Sequence, residues 1–153
     1  PIVGYNFGAQ KIDRVKQTLK LGIVSGVVIT SSGFFICELF PHAVSAIFTD
    51  SDHLIDLAVD GLRITVIMFP FVGAQIVIGN FFQSIGKAKI SIFLSLTRQL
   101  LYLLPCLLLF PNWWGLKGIW ISMPVSDALA FITAVVSLII YIKKVSKQHP
   151  IAE

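Results

Sequence analysis

Four long apolar stretches, separated by short polar connections, dominate the chain. A helix needs roughly 20 apolar residues to cross a hydrocarbon core of about 30 Å, and each stretch reaches that length. The first has one acidic residue near its end, the centre of the second has no charge, and the last two are each interrupted by a single charge. This pattern predicts transmembrane helices at about 21–40, 60–83, 89–110 and 117–142.

Capping and turn residues extend the apolar stretches into longer predicted helices. These helices cover Asp13–Phe40, Asp52–Ile85, Lys87–Phe110 and Leu116–Lys147. Closed β-barrels also span membranes, but the sequence lacks the alternating segments of roughly ten residues that they require. The predicted fold class is therefore all-α, a polytopic membrane helix bundle.

Two features predict shorter helical pieces near the first span. Pro41 suits the first turn of a short helix that follows the span. Ile12, Val15 and Leu19 recur on one face of the basic segment 1–20. That face predicts a helix lying along the membrane surface before the chain enters the bilayer.

Basic residues mark alternate connections. They stand before the first span, between the second and third, and after the fourth: Lys11, Arg14, Lys16, Lys20, Lys87, Lys89, Lys143, Lys144 and Lys147. Cytoplasmic loops carry such an excess of Lys and Arg. We therefore expect segment 1–20 and tail 143–153 to be cytoplasmic, and the protein to be integral to the plasma (bacterial inner) membrane. Trp113 and Trp114 then lie in the outer headgroup layer.

The composition agrees with a protein whose main solvent is lipid. Hydrophobic residues make up 56% of the 153-residue chain and charged residues only 13%, with a mean hydropathy of +0.84. A water-soluble domain averages about a quarter charged residues. The net charge of +4 comes from residues at span ends rather than from a basic stripe with interleaved aromatics, so nucleic acid is not an expected partner.

Two charges lie near the middle of predicted spans. Arg98 is nine residues from Lys89, and Asp127 is ten from Lys117. An unpaired charge at this depth costs at least about 3 kcal/mol, and such residues usually face a bundle interior or a cavity. The third and fourth spans are joined by a short turn, so the two charges either form a structural ion pair or line a cavity.

Amides and prolines supply the remaining candidates for function. Three amides in or beside the second span need partners in lipid and could line a pathway or bond neighbouring helices: Gln75, Asn80 and Gln83. Three prolines at a similar depth are candidates for helix kinks, although membrane helices often tolerate proline: Pro70, Pro105 and Pro124.

No catalytic chemistry is indicated. Cys37 and Cys106 lie inside apolar runs without CxxC spacing, and no phosphate loop, metal motif or nucleophile elbow is present. We expect a protein that is not an enzyme and that has no metal site.

Several segments resemble the multidrug and toxic compound extrusion (MATE) family. Pro1–Gln10, reading PIVGYNFGAQ, and Asp13–Val15 resemble the cytoplasmic stretch between that family's eighth and ninth helices. Gly79–Ala88, reading GNFFQSIGKA, is similar to the end of its tenth helix. Arg98 with Pro105 resembles the family's eleventh helix. Gly118–Trp120, followed by Pro124 and Asp127, resembles its twelfth.

The resemblance covers essentially the whole chain and implies a transporter. MATE proteins have twelve helices in two six-helix lobes around a cavity that opens alternately to either side. They export organic cations and other drugs against an inward flow of Na⁺ or H⁺. The chain, which opens at Pro1, would then be a C-terminal fragment, 1–153, supplying four helices of the second lobe. Its partners would be the bilayer, the missing N-terminal helices and small organic or cationic drugs.

One departure from the family pattern concerns ion coupling. In the NorM branch an acidic residue midway along the tenth helix helps to bind the coupling cation, and the matching place here falls near Val72. The missing carboxylate favours a DinF-like or MepA-like branch, whose coupling carboxylate lies in the first lobe. We therefore expect no cofactor beyond Na⁺ or H⁺, bound outside this chain.

Two other functions compete with drug export. A lipid-linked oligosaccharide flippase of the same superfamily would need a more cationic cavity than Arg98 alone supplies. A non-transporting membrane scaffold would have little use for polar residues within the spans. The identity of the substrate, and the choice between Na⁺ and H⁺, stay open at this point.

Overall fold

The computed structural model describes the backbone of residues 1–148 and the side chains of residues 1–145. Within this part of the chain all regular structure is helical: α1 Ile2–Gly8, α2 Ile12–Leu39, α3 Pro41–Ala46, α4 Asp52–Thr65, α5 Phe69–Ser84, α6 Ala88–Leu96, α7 Leu104–Trp114 and α8 Leu116–Gln148. A 3₁₀ segment, Val66–Met68, joins α4 to α5, and a π segment, Thr97–Leu103, joins α6 to α7.

Together these elements form four spans that are long and apolar enough to cross a membrane: Ile12–Leu39, Asp52–Ser84, Ala88–Trp114 and Leu116–Val145. The predicted all-α bundle of four spans is confirmed. The short helix at Pro41 is also confirmed, with the proline in its first turn. The predicted tail is helical up to Gln148, and its remaining residues lie outside the described part.

The expected surface helix in segment 1–20 is wrong. Residues 12–20 are the first turns of α2, which continues without a break into the span. Val15 and Leu19 are buried in a hydrophobic cluster with residues of α5, α6 and α8. Their apolar face therefore packs inside the bundle. The additional helix α1 was not predicted; its buried Asn6 donates a hydrogen bond from Nδ2 to the Ile2 carbonyl at 2.9 Å.

Helices α2 and α5 pack backbone to backbone as antiparallel neighbours. A Cβ on Gly26 would lie 3.0 Å from the Gly73 carbonyl oxygen, and a Cβ on Gly22 would lie 3.2 Å from the Val77 side chain. Small residues at membrane helix interfaces allow this close approach. The close contact thus lies at Gly22 and Gly26, whereas a Cβ on Gly33 would meet nothing within 4 Å.

Helix α8 buries a stripe of residues spaced four apart against α4 and α5. The stripe comprises Ser122, Ser126, Ala130, Ala134 and Leu138, all less than 9% exposed. Residues four apart share one helix face, so the serines and alanines of this stripe let α5 approach α8 closely. Larger partners flank the stripe in parallel order: Phe71 packs on Phe131, and Phe82 on Tyr141.

The third and fourth spans form a hairpin with a turn at Gly115. Helix α7 continues past the predicted end at Phe110 as far as Trp114, and Gly115 then adopts a φ of +56°. Only glycine enters this region without steric cost. Gly118 lies against the Phe110 carbonyl with no room for a side chain.

The three prolines differ in their local structure. Pro70 stands in the first turn of α5, directly after the 3₁₀ segment, and Pro105 stands in the first turn of α7, directly after the π segment. Pro124 lies inside α8, which is not interrupted. Two of the three predicted kink positions therefore coincide with a break in regular α-helix.

The two ends of the bundle differ in chemistry. We call the end that carries Lys16, Lys87 and Lys144 the basic end, and the end that carries Trp113 and Trp114 the tryptophan end. Large apolar side chains between them remain exposed, among them Ile29, Leu101 and Ile140. Such a surface suits lipid or further helices and is unfavourable in water.

Candidate functional site

Arg98 and Asp127 meet between the third and fourth spans. The Nε atom of Arg98 lies 2.8 Å from Oδ1 of Asp127. The Asp127 side chain is 8% exposed and that of Arg98 is 36% exposed. The structure thus brings the two predicted mid-membrane charges into an ion pair whose carboxylate is enclosed and whose guanidinium reaches the bundle surface.

The contact has ion-pair distance without hydrogen-bond geometry. Oδ1 of Asp127 is buried and has no hydrogen-bond partner within the described residues. The Nε–H group of Arg98 is therefore close to this oxygen but is not directed at it. A buried carboxylate depends on its counter-charge, so loss of Arg98 would leave an uncompensated charge between two helices.

The π segment places Arg98 in this contact. The Leu104 N–H donates to the carbonyl of Gln99, five residues earlier, rather than to that of Leu100. Pro105 explains the wider turn, because its ring has no N–H and would clash with the carbonyl four residues before it in a regular α-helix. π segments in membrane and soluble helices often mark functional positions.

A second polar contact, which the sequence did not predict, lies beside the ion pair. The Tyr102 hydroxyl lies 2.8 Å from Oγ1 of Thr133. Because Oγ1 of Thr133 donates its own proton to the Leu129 carbonyl at 2.8 Å, the Tyr102 hydroxyl is the donor between the two side chains. Tyr102 could have indicated this contact from the sequence, since a phenol within an apolar span needs a hydrogen-bond partner.

The side chains of Arg98 and Tyr102 extend in opposite directions along the hairpin to reach their partners. On antiparallel helices a later residue of the first should meet an earlier residue of the second. Arg98 instead meets Asp127 while Tyr102 meets Thr133, so Arg98 leans toward the tryptophan end and Tyr102 toward the basic end. The two crossed side chains fix the position of the π segment along α8.

Buried hydroxyls near Asp127 are satisfied within α8 itself. Ser122 donates to the Gly118 carbonyl and Ser126 to the Met123 carbonyl, each at 2.8 Å. Serine hydroxyls in helices commonly bond to carbonyls of the preceding turn. These two serines therefore leave Arg98 as the counter-group of the carboxylate within the described residues.

The three candidate amides do not gather around the ion pair. Gln75 is buried in α5, and its Oε1 has no hydrogen-bond partner within the described residues. Asn80 and Gln83 are exposed on another part of α5. The structure therefore separates Gln75 from the other two.

Among the described residues, His, Cys, Asp and Glu side chains do not form a group of three or more that could hold a metal. Cys37 and Cys106 are free and half-buried. A second ion pair links the last turn of α2 to the last turn of α4, with 3.9 Å between Oε2 of Glu38 and Nε of Arg63. Exposed pairs of this kind contribute little to stability.

Comparison with known sequences identifies one family. The family model described as MatE matches residues 1–108. The multidrug export protein MepA of Staphylococcus aureus (strain MSSA476) is 24% identical over 143 residues, which are 93% of this chain and 31% of MepA. The chain thus spans about a third of the length of the curated relatives it matches.

Solved structures show the same fold. A transporter described as the inward-facing conformation of a multidrug resistance MATE family transporter of the MOP superfamily aligns with a TM-score of 0.89 at 20% identity, over 95% of this chain and 34% of that one. Its outward-facing counterpart aligns with a TM-score of 0.88 at 20% identity, over 95% and 33%. The four-span arrangement described above is therefore present in transporters of both conformations.

Proposed function

Because the chain belongs to the MatE family, we propose that it forms four transmembrane helices of a multidrug efflux antiporter that works by alternating access. The family consists of transporters and not of enzymes. The observation that carries the proposal is the family match over residues 1–108, joined to a four-span fold shared with transporters facing inward and outward.

The packing supports movement of these helices as one body. The glycine contacts between α2 and α5, and the small-residue stripe between α5 and α8, leave little room for sliding. Close-packed interfaces change between discrete arrangements and do not deform continuously. Alternating access would then be a rotation of the four-helix unit relative to the other helices of the transporter.

We propose that the Arg98–Asp127 pair serves this rigidity. Arg98 lies in the π segment, which is the only break in regular α-helix within the third span of the described chain. Its contact with Asp127 therefore ties the π segment to α8. A cationic substrate would compete with Arg98 for the carboxylate, but at 8% exposure Asp127 offers such a substrate little access. The exposed Asn80 and Gln83 are then the better candidates for lining a substrate path, whereas Gln75 is buried to a similar degree as Asp127.

The coupling ion, Na⁺ or H⁺, is proposed to bind outside this chain. The place of a coupling carboxylate in the NorM branch falls near Val72, whose neighbours are held in packing contacts: Phe71 contacts Phe131, and Gly73 contacts Gly26. The similarity to MepA, named a multidrug export protein, supports a branch with coupling in the first lobe. Small organic or cationic drugs are the proposed substrates.

The basic end is proposed to be cytoplasmic, in the plasma (bacterial inner) membrane. Lysines of three connections converge there, and the tryptophans collect at the opposite end. The positive-inside rule and the enrichment of tryptophan in headgroup layers both support this orientation.

Drug accumulation in cells tests the proposal. Cells that lack their own exporters are made to express the complete transporter containing this chain and are loaded with a fluorescent cationic dye. We expect them to retain several-fold less dye than cells expressing a Gly73→Leu variant, whose side chain cannot fit against Gly26. Equal retention in both lines, with wild-type protein present in the membrane, would contradict drug export.

A further inference from the structure

A cavity of about 860 Å³ opens at the basic end of the bundle. The α1–α2 connection, the α5–α6 turn, and the facing sides of α6 and α8 enclose it. Sites for small ligands typically measure about 300–1,000 Å³, so the volume is sufficient for one. The lining residues that define its chemistry are Phe7, Gln10, Lys87, Phe93, Ile140 and Lys144.

The cavity exists because the third and fourth spans separate at this end. Their contacts are concentrated in the π segment and α7, whereas α6 makes few contacts with α8. The α5–α6 turn holds one rim open: Gly86 has a φ of +77°, and the Lys87 N–H donates to the Phe82 carbonyl at 2.8 Å. Lys87 is thereby fixed at the rim by a backbone hydrogen bond of its own.

The charge of the cavity is uniformly positive. Lys87 and Lys144 both line it, and none of the residues that enclose it is acidic. Within the described part of the chain neither lysine forms an ion pair. Two unpaired ammonium groups around one cavity favour an anionic ligand.

The walls are apolar and continue onto the exposed apolar surface of the bundle. Phe93 of α6 is 54% exposed and Ile140 of α8 is 63% exposed, and both line the cavity. A small soluble anion could contact the two lysines, but it would leave the apolar walls of the cavity without a partner. A ligand with an anionic head and apolar chains would match both parts.

We propose that this cavity binds an acidic phospholipid. Its phosphate lies between Lys87 and Lys144, and its acyl chains run down the exposed surfaces of Phe93 and Ile140. Basic pockets between membrane helices are known to hold acidic lipid headgroups. The site is separate from the Arg98–Asp127 pair and does not depend on drug transport.

Lipid binding to the purified, complete transporter tests this proposal. The probe is a fluorescent short-chain phosphatidylglycerol, and the competitors are unlabelled phosphatidylglycerol, phosphatidylcholine with the same chains, and soluble glycerol phosphate. We expect phosphatidylglycerol to compete at least roughly ten-fold more strongly than phosphatidylcholine, since each surface lysine favours an anionic lipid several-fold. Equal competition by the two lipids would overturn the proposal, and so would full competition by glycerol phosphate at equal concentration.

Neighbouring lysines provide a matched control. The variant Lys87→Gln/Lys144→Gln removes the two cavity charges, and Lys89→Gln/Lys143→Gln removes two exposed charges that do not line the cavity. Both variants lose the same charge from the same end. We expect the first to bind the probe roughly ten-fold more weakly and the second to change binding less than about two-fold. Equal losses would assign binding to general surface charge and overturn the proposal.

Discussion

Gly26 of α2 and Gly73 of α5 face each other with no space for a side chain on either: a Cβ on Gly26 would lie 3.0 Å from the Gly73 carbonyl oxygen, and a Cβ on Gly73 would overlap the backbone of Gly26. This contact fixes the distance between the first and second spans. It also sets which faces of the two helices meet.

Replacing these glycines should separate the helices. We expect Gly73→Ala to destabilise the folded transporter by about 1–3 kcal/mol, as overpacking of a close interface does. The measurement is the midpoint temperature of unfolding of the purified protein in detergent. It is determined from the loss of the monodisperse size-exclusion peak as the protein is heated.

Two glycines on the same helices serve as controls. A Cβ on Gly33 of α2 or on Gly79 of α5 would meet nothing within 4 Å. Alanine there should be neutral or slightly stabilising, by less than about 1 kcal/mol, through its higher helix propensity. A midpoint for Gly73→Ala equal to that of these controls would contradict the described crossing.

The ion pair should show coupling in a double-mutant cycle. Asp127→Asn leaves the guanidinium of Arg98 without a counter-charge, and Arg98→Gln leaves the enclosed carboxylate without one. Because Arg98 is about one third exposed, we expect each single change to cost about 1–2 kcal/mol, less than for a fully buried pair. The double variant should recover part of the loss.

Membrane abundance and dye efflux, measured for both single variants and the double variant, separate structure from transport. A structural pair predicts lower abundance with unchanged efflux per molecule. Normal abundance of Asp127→Asn with lost efflux would instead assign Asp127 to the substrate or ion path and would contradict the role proposed here.

The Tyr102–Thr133 hydrogen bond should make a smaller contribution. Side-chain hydrogen bonds between membrane helices average about 0.6 kcal/mol in double-mutant cycles. We expect Tyr102→Phe and Thr133→Ala to show a coupling energy of that order in thermal unfolding. Additive effects of the two changes would mean that the 2.8 Å contact does not contribute to stability.

The number of spans and most of their limits could be predicted from the sequence because bilayer thickness sets their length. The similar depth of Arg98 and Asp127 on joined helices allowed the sequence to offer an ion pair as one of two alternatives, the other being a cavity lining. Helix register could not be predicted: the stripe from Ser122 to Leu138 becomes an interface only once the faces of α5 and α8 are paired. The π segment also escaped prediction, because proline at 105 equally permits a simple kink.

Cysteine labelling tests the proposed orientation. In a background in which Cys37 and Cys106 are replaced by Ala, single cysteines at positions 52 and 89 place one thiol on a connection at each end. A membrane-impermeant maleimide added to intact cells should label position 52 and should reach position 89 only after permeabilisation. Labelling of both positions from outside would contradict a cytoplasmic basic end.

Transport by the purified, complete protein tests the central claim most directly. The protein is reconstituted into liposomes, and uptake or release of a cationic dye is followed after a Na⁺ or pH gradient is imposed, with Gly73→Leu as the inactive control. We expect dye to move against its own gradient, in the direction opposite to the imposed ion flow, and to stop when that gradient is collapsed by an ionophore. Dye movement that is independent of both gradients, or equal to that of the control, would contradict a cation-coupled exporter.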